Sequence, residues 1–213
     1  GSAGTDAVNV SVWDQAGIEA SKSVGVTVSA QPIITIAAGT ANAVEQVSNA
    51  VISATSGNHM VFIGGTGDTL TATGGTETVQ AYQGHNSITT GAGNDSISVA
   101  GSGNTINAGA GSNTVQDSGS NNTIVMPAAG QGFDDIFGYV LQNGDTLDFR
   151  AALAKTAWTG SASTLGNFLQ VTNSANSAII SLSTTSLGAP STIAKLEGSG
   201  PVTLSGLLAH SLT

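Results

Sequence analysis

The chain has 213 residues, enough for one or two domains, with 29 glycines, no cysteine and a formal net charge of -9 that reflects 4 Lys and Arg against 13 Asp and Glu. No base stands between Lys22 and Arg150, so the surface cannot neutralise phosphates or dock on an anionic bilayer, which excludes nucleic-acid binding and polybasic membrane association. The missing cysteines exclude disulfides and thiolate metal sites, no apolar run of about eighteen residues could span a bilayer, and no signal-peptide pattern opens the sequence.

Residues 1–32 come first. Val8, Val10 and Val12, then Val24, Val26 and Val28, alternate with polar residues around Asp14-Gln15-Ala16-Gly17, which predicts one antiparallel β-hairpin. Two readings stand side by side. The hairpin caps the region beyond residue 32, or it is similar to the last two strands of the Ig-like repeats of large bacterial adhesins and belongs to a preceding domain.

Residues 33–126 carry a strict period. Val61, Leu70, Val79, Ile88, Ile97, Ile106, Val115 and Ile124 are nine apart without a slip, after less regular turns around Ile34, Ile36 and Ile52. Neither a helix nor a hairpin meander repeats at nine, whereas a parallel β-solenoid with nine-residue half-turns does. A Thr or Ser precedes each apolar residue from Leu70 on, and an Asp, Glu or Asn precedes that: Asp68, Glu77, Asn86, Asp95, Asn104, Asn113 and Asn122. Glycines fill the corners. The expected fold is all-β, a right-handed parallel β-roll preceded by a β-hairpin and followed by a mixed C-terminal cap.

The unit GAGNDSISV at residues 91–99, and GGTGDTLTA at residues 64–72 with one corner residue fewer, resemble the RTX nonapeptide G-G-x-G-x-D-x-U-x. The resemblance implies calcium held by the aspartate and by corner carbonyls. It also implies export through a type I secretion apparatus to the medium or the bacterial cell surface. RTX proteins commonly end in a region similar to the last eighty or so residues here, with a GD-x-LD element at Gly144-Asp145-Thr146-Leu147-Asp148.

Residues 127–213 are read as that cap. Phe133, Ile136, Phe137, Val140 and Leu141 fall at helical spacing. Asp148 stands where an N-cap would start a short helix to Leu153. Residues 168–171 and 178–182 read as strands joined by the polar stretch 172–177. By resemblance, the secretion signal lies in the last residues, 207–213.

In a two-sided roll, residues eighteen apart stack at about the 4.8 Å strand spacing, which places Glu77 beside Asp95 and Asp68 beside Asn86. Asp68, Glu77 and Asp95 are therefore the candidate metal ligands, for Ca2+ at a few sites, with corner carbonyls completing the oxygen shell. The asparagines are expected to form hydrogen-bonded ladders. Asp134, Asp135, Asp145 and Asp148 with Asn143 form a second acidic group, read as caps or as another calcium site. His59 and His85 are expected to be solvent histidines, since neither has a second His at ligand spacing.

No nucleophile-base-acid pattern appears, and the chain reads as non-catalytic. The leading expectation is a calcium-assisted folding and export module of a secreted or cell-surface protein, an adhesin in particular. The alternative is a binding module for a glycan, a cell-surface target or ice, using ranks of hydroxyls at Thr69-x-Thr71, Ser87-x-Thr89, Thr105-x-Asn107 and Thr123-x-Val125. A part of a polysaccharide-active enzyme comes third.

Overall fold

The computed structural model describes residues 4–13, 19–28, 31–39 and 41–213. Strands β1 (Gly4–Trp13) and β2 (Glu19–Val28) pair antiparallel with Val8 opposite Val24, as the alternation predicts. The turn expected at residues 14–17 lies outside the described residues.

From Ile33 the chain winds as a parallel solenoid of about six turns. Its strands are β3 (Ile33–Ile36), β4 (Ala41–Glu45), β5 (Val51–Ala54), β6 (His59–Ile63), β7 (Thr69–Ala72), β8 (Glu77–Ala81), β9 (Ser87–Thr89), β10 (Ser96–Val99), β11 (Thr105–Asn107), β12 (Gly111–Asp117) and β13 (Thr123–Val125). Odd-numbered strands stack in one sheet and even-numbered strands in the other. Each pairs with the strand eighteen residues on, so Ile34, Ile52, Leu70, Ile88, Ile106 and Ile124 form one file and Val61, Val79, Ile97 and Val115 the facing one. The nine-residue period is thus half a turn, one strand and one corner, after which the chain has crossed to the other sheet.

All eight nine-spaced residues are at most 1% exposed. Burying each such side chain is worth roughly 1.5–3 kcal/mol, and the two facing files are the core. The register already holds in the first turns, where Ala43 takes the inward place that branched residues fill later and so hides the pattern. The corners stack as tightly as the strands. A Cβ on Gly93 (φ 146°) would lie 1.5 Å from the carbonyl oxygen of Gly75, and one on Gly75 (φ 121°) would lie 1.6 Å from that of Gly57. Glycine is required there by contact and by backbone conformation together.

Past Met126 the period breaks but the solenoid does not. The helix expected over residues 133–141 is instead strand β14 (Gly132–Phe137), paired in parallel with β12 so that Ile136 follows Val115. A helix there would leave the N–H and C=O groups on the outer edge of β12 without partners, and that free edge decides the conformation. β15 (Thr146–Asp148) likewise continues the other sheet on β13. The period is lost because the intervening corners lengthen: Val115 to Ile136 is twenty-one residues and Ile124 to Leu147 twenty-three.

The short helix expected near Asp148 is α1 (Arg150–Leu153), but its N-cap is Phe149, with no side-chain cap, and not Asp148; the Asp148 carboxylate accepts from the Arg150 backbone N–H at 3.0 Å and pairs with its guanidinium at 2.7 Å. A 3-10 turn (Ala162–Asn167) leads into β16 (Leu169–Ser174) and β17 (Ser177–Leu182), the expected antiparallel hairpin, whose pairing runs further into the polar stretch than its composition suggested. β18 (Ser191–Glu197) then joins β17 antiparallel to β14 parallel, fusing this meander to the even-numbered sheet. Helix α2 (Leu204–Leu208) is capped by the Thr203 hydroxyl, which accepts from the Gly206 N–H at 3.0 Å, and β19 (Ser211–Leu212) adds to β15. Both solenoid sheets are therefore extended at this end, by β18 and by β19. Among the described residues no helix is long and apolar enough to cross a membrane.

Candidate cation sites in the corner columns

The residue two places before each inward apolar residue also points inward, by strand alternation. The corners therefore carry two columns of buried polar side chains, one on each edge of the roll. The first holds Asp68, Asn86, Asn104, Asn122 and Asp145, with Ala50 at its start; the second holds His59, Glu77, Asp95, Asn113 and Asp134.

Along the first column each side-chain oxygen accepts a hydrogen bond from the backbone N–H one turn earlier: Asp68 from Ala50 at 2.7 Å, Asn86 from Asp68 at 2.8 Å, Asn104 from Asn86 at 2.9 Å, Asn122 from Asn104 at 2.7 Å and Asp145 from Asn122 at 2.8 Å. In the second, Asp95 accepts from the Glu77 N–H at 2.8 Å and Asn113 from the Asp95 N–H at 3.0 Å. Buried N–H groups at these corners need an acceptor, and a short amide or carboxylate supplies it equally well. This is the ladder expected of the asparagines, and the aspartates share it.

The second atom of each side chain separates Asn from Asp. An asparagine presents an NH2: Asn86 Nδ2 donates to the carbonyls of Gln83 (3.0 Å) and Gly65 (3.4 Å), and Asn122 Nδ2 donates to Gly101 O (3.1 Å) and to both oxygens of Asp117 (2.8 and 3.0 Å). An acid presents a further acceptor. Glu45 Oε2, Asp68 Oδ2, Glu77 Oε2, Asp95 Oδ2, Asp134 Oδ2 and Asp145 Oδ2 are buried without a hydrogen-bond partner, an arrangement that costs roughly 1–3 kcal/mol per atom unless a proton or a cation fills the gap.

Burial raises the affinity of these carboxyls for protons. Glu77 is pushed up to about 7 by desolvation and then by the facing Asp95, against the opposing pull of His59. Glu45 rises to about 7 by desolvation and by Asp68. Asp134 rises to about 7 mainly through burial, and Asp145 to about 6 through burial with a contribution from the Asp117 charge.

Of the residues singled out from sequence, Glu77 and Asp95 are brought together in the second column, whereas Asp68 lies in the first, beside Glu45. The second acidic group is dispersed. Asp134 joins the second column, where its Oδ1 accepts from Asn113 Nδ2 at 2.9 Å; Asp145 joins the first; Asp135 lies near Lys195 and Glu197, and Asp148 pairs with Arg150.

His85 is exposed, as expected, but His59 is not a solvent histidine. It is 2% exposed, with Nδ1 3.2 Å from Glu77 Oε1 and Nε2 3.4 Å from the carbonyl of Ala37. The column that continues from Glu77 buries it. Glu45 and Asp117 were missed from sequence. Their signal is an acid two places after an inward residue, Ala43 or Val115, where Ile63, Ala81 and Val99 stand in the intervening turns.

Among the described residues no three His, Asp or Glu side chains converge into a ready-made metal cage. What the columns offer is pairs of carboxylates among corner carbonyls, oxygen donors suited to a hard cation, with His59 beside Glu77 in the second column. Comparison of the chain with protein-family models, with curated proteins and with solved structures yields no match in any of the three.

Proposed function

We propose that this chain is a non-catalytic, RTX-like module of a type I secreted protein, an adhesin in the first instance, in which Ca2+ assists folding outside the cell. The observation that carries the reading is the set of orphaned carboxylate oxygens on Asp68, Glu77 and Asp95, two of them in the units that most resemble the RTX nonapeptide. Asp95 would hold the ion together with Glu77 and carbonyls of the glycine corners. Because four of the remaining corner positions are Asn, calcium would stabilise a few turns and would not switch the whole roll.

Thermal melts with and without calcium test this. An ion present at a hundred times its dissociation constant adds about 2.7 kcal/mol per site, a shift of roughly 5–10 °C for a chain of this size. Asp95→Ala should remove the part of the shift that its own site contributes. A wild-type protein that melts identically in chelator and in calcium refutes the reading.

A second reading, adhesion to a glycan or to ice, has one observation in its favour. Thr69, Ser87, Thr105, Thr123 and Thr146 stack in one outward rank, with Ser53, Thr71 and Thr89 in a parallel one. Loss of surface adsorption in Thr71→Tyr would support it, and unchanged adsorption would count against it.

A further inference from the structure

The first column contains an internal comparison. At its C-terminal end, Asp117 Oδ1 accepts from the N–H of Gly119 at 2.8 Å, the Asn122 N–H donates to Asp145 at 2.8 Å, and the Asn122 amide reaches back to both Asp117 oxygens. At its N-terminal end the same arrangement recurs with one part missing. Glu45 accepts from the N–H of Val47, two residues on, and the Ala50 N–H donates to Asp68 at 2.7 Å. Glu45 precedes Ala50 by five residues, as Asp117 precedes Asn122. Where Asn122 carries an NH2 that donates to both Asp117 oxygens, Ala50 carries a methyl.

The donor to the first acid is therefore deleted while the acid remains. Glu45 and Asp68 are each 1% exposed, and Glu45 Oε2 and Asp68 Oδ2 have no hydrogen-bond partner. Corner backbone is close at hand: a Cβ on Gly65 would lie 2.3 Å from the carbonyl oxygen of Val47 and 2.7 Å from Asp68 Oδ2, so carbonyl and carboxylate oxygens border one small space.

We infer that Glu45 and Asp68, across Ala50, form a binding site for a divalent cation, the ion standing beside Glu45 where the Asn122 amide stands beside Asp117. Two carboxylates and carbonyl oxygens, with no nitrogen or sulfur donor, suit Ca2+, whose coordination is more flexible than that of Mg2+. The inference rests on the calcium reading above for the identity of the ion, and is independent of the Glu77 and Asp95 pair.

The test counts ions. Native mass spectrometry of the full chain in CaCl2 gives the number of Ca2+ bound by the wild type, by Ala50→Asn, by Glu77→Gln/Asp95→Asn, and by all three substitutions together. Ala50→Asn restores the amide and should bind one ion fewer than the wild type, and its metal-free form should melt higher. The Glu77→Gln/Asp95→Asn protein should keep an ion that Ala50→Asn then removes. An Ala50→Asn protein that binds as many ions as the wild type overturns the site. Complete loss of calcium in Glu77→Gln/Asp95→Asn overturns it too, while leaving the calcium reading intact; a wild type that binds none overturns both. Should circular dichroism show Ala50→Asn unfolded, Glu45→Gln serves instead, since its amide can donate to Asp68, and it must also lose one ion.

Discussion

In metal-free buffer the protein should lose stability as pH rises from 5 to 8, the reverse of the behaviour expected of a fold held by exposed ion pairs. The carboxyls of Glu45 and Glu77 move from 4.5, and that of Asp134 from 3.8, to about 7 on folding. Raised acids bind protons more tightly in the native state than in the unfolded chain. Their contribution is therefore complete below the unfolded values and is lost as pH climbs through about 7. Each of these groups, at most 1% exposed, contributes roughly 2–3 kcal/mol at pH 5 that is gone by pH 8. Asp148, lowered by Arg150, titrates in the opposite sense but below this window. Urea unfolding at pH 5, 6, 7 and 8 in metal-free buffer measures the slope. Calcium should flatten it by taking the place of the protons, and Glu77→Gln should reduce it. Stability that is level or rises between pH 5 and pH 8 without metal would refute the argument, because buried, uncompensated carboxyls could not produce it.

Asn104→Ala should leave the calcium response unchanged while costing about 1–3 kcal/mol of unfolding free energy in a urea titration, since the buried Asn86 N–H loses its acceptor. Gly93→Ala should destabilise far more than an ordinary Gly-to-Ala change, to the point of lost β circular dichroism, because its methyl meets the Gly75 carbonyl. Deleting residues 207–213 should abolish export through a type I apparatus. It should also lower the melting temperature, because Leu207 is fully buried and the N–H groups of Leu147 and Phe149 donate to the carbonyls of His210 and Leu212; export undiminished by the deletion would contradict the secretion reading.

The solenoid was legible because one repeated physical demand, an inward apolar side chain every half-turn, leaves a period that composition cannot mask. Stacking of Glu77 on Asp95 followed from the same arithmetic. Residues 133–141 were misread because their apolar spacing suits a helix as well as a strand followed by a loop, and only the free edge of β12 discriminates. That edge is a tertiary fact. His59 looked isolated because its partner Glu77 is eighteen residues away, outside any local window, although the series 59, 77, 95, 113 extends the column on the same spacing. Glu45 and Asp117 escaped notice because the alternation that buries them is anchored in Ala43 at one end and overshadowed by the nine-residue series at the other. β18 and β19, short segments without strong alternation, owe their conformation to the sheet edges they complete.

The covalent path through stacked turns also sets how the module would answer a pulling force. The backbone hydrogen bonds of both sheets run along the solenoid axis, so tension between its ends loads the contact between neighbouring turns directly. Parting one turn from the next removes a step of about 4.8 Å from the stack, yet frees eighteen residues of chain that extend to roughly 60 Å. A tether built this way lengthens in large increments while each remaining turn keeps its own files and columns intact. Bound ions would concentrate resistance at the corners that hold them, so that the all-asparagine turns at Asn104 and Asn113 would yield before the acidic ones.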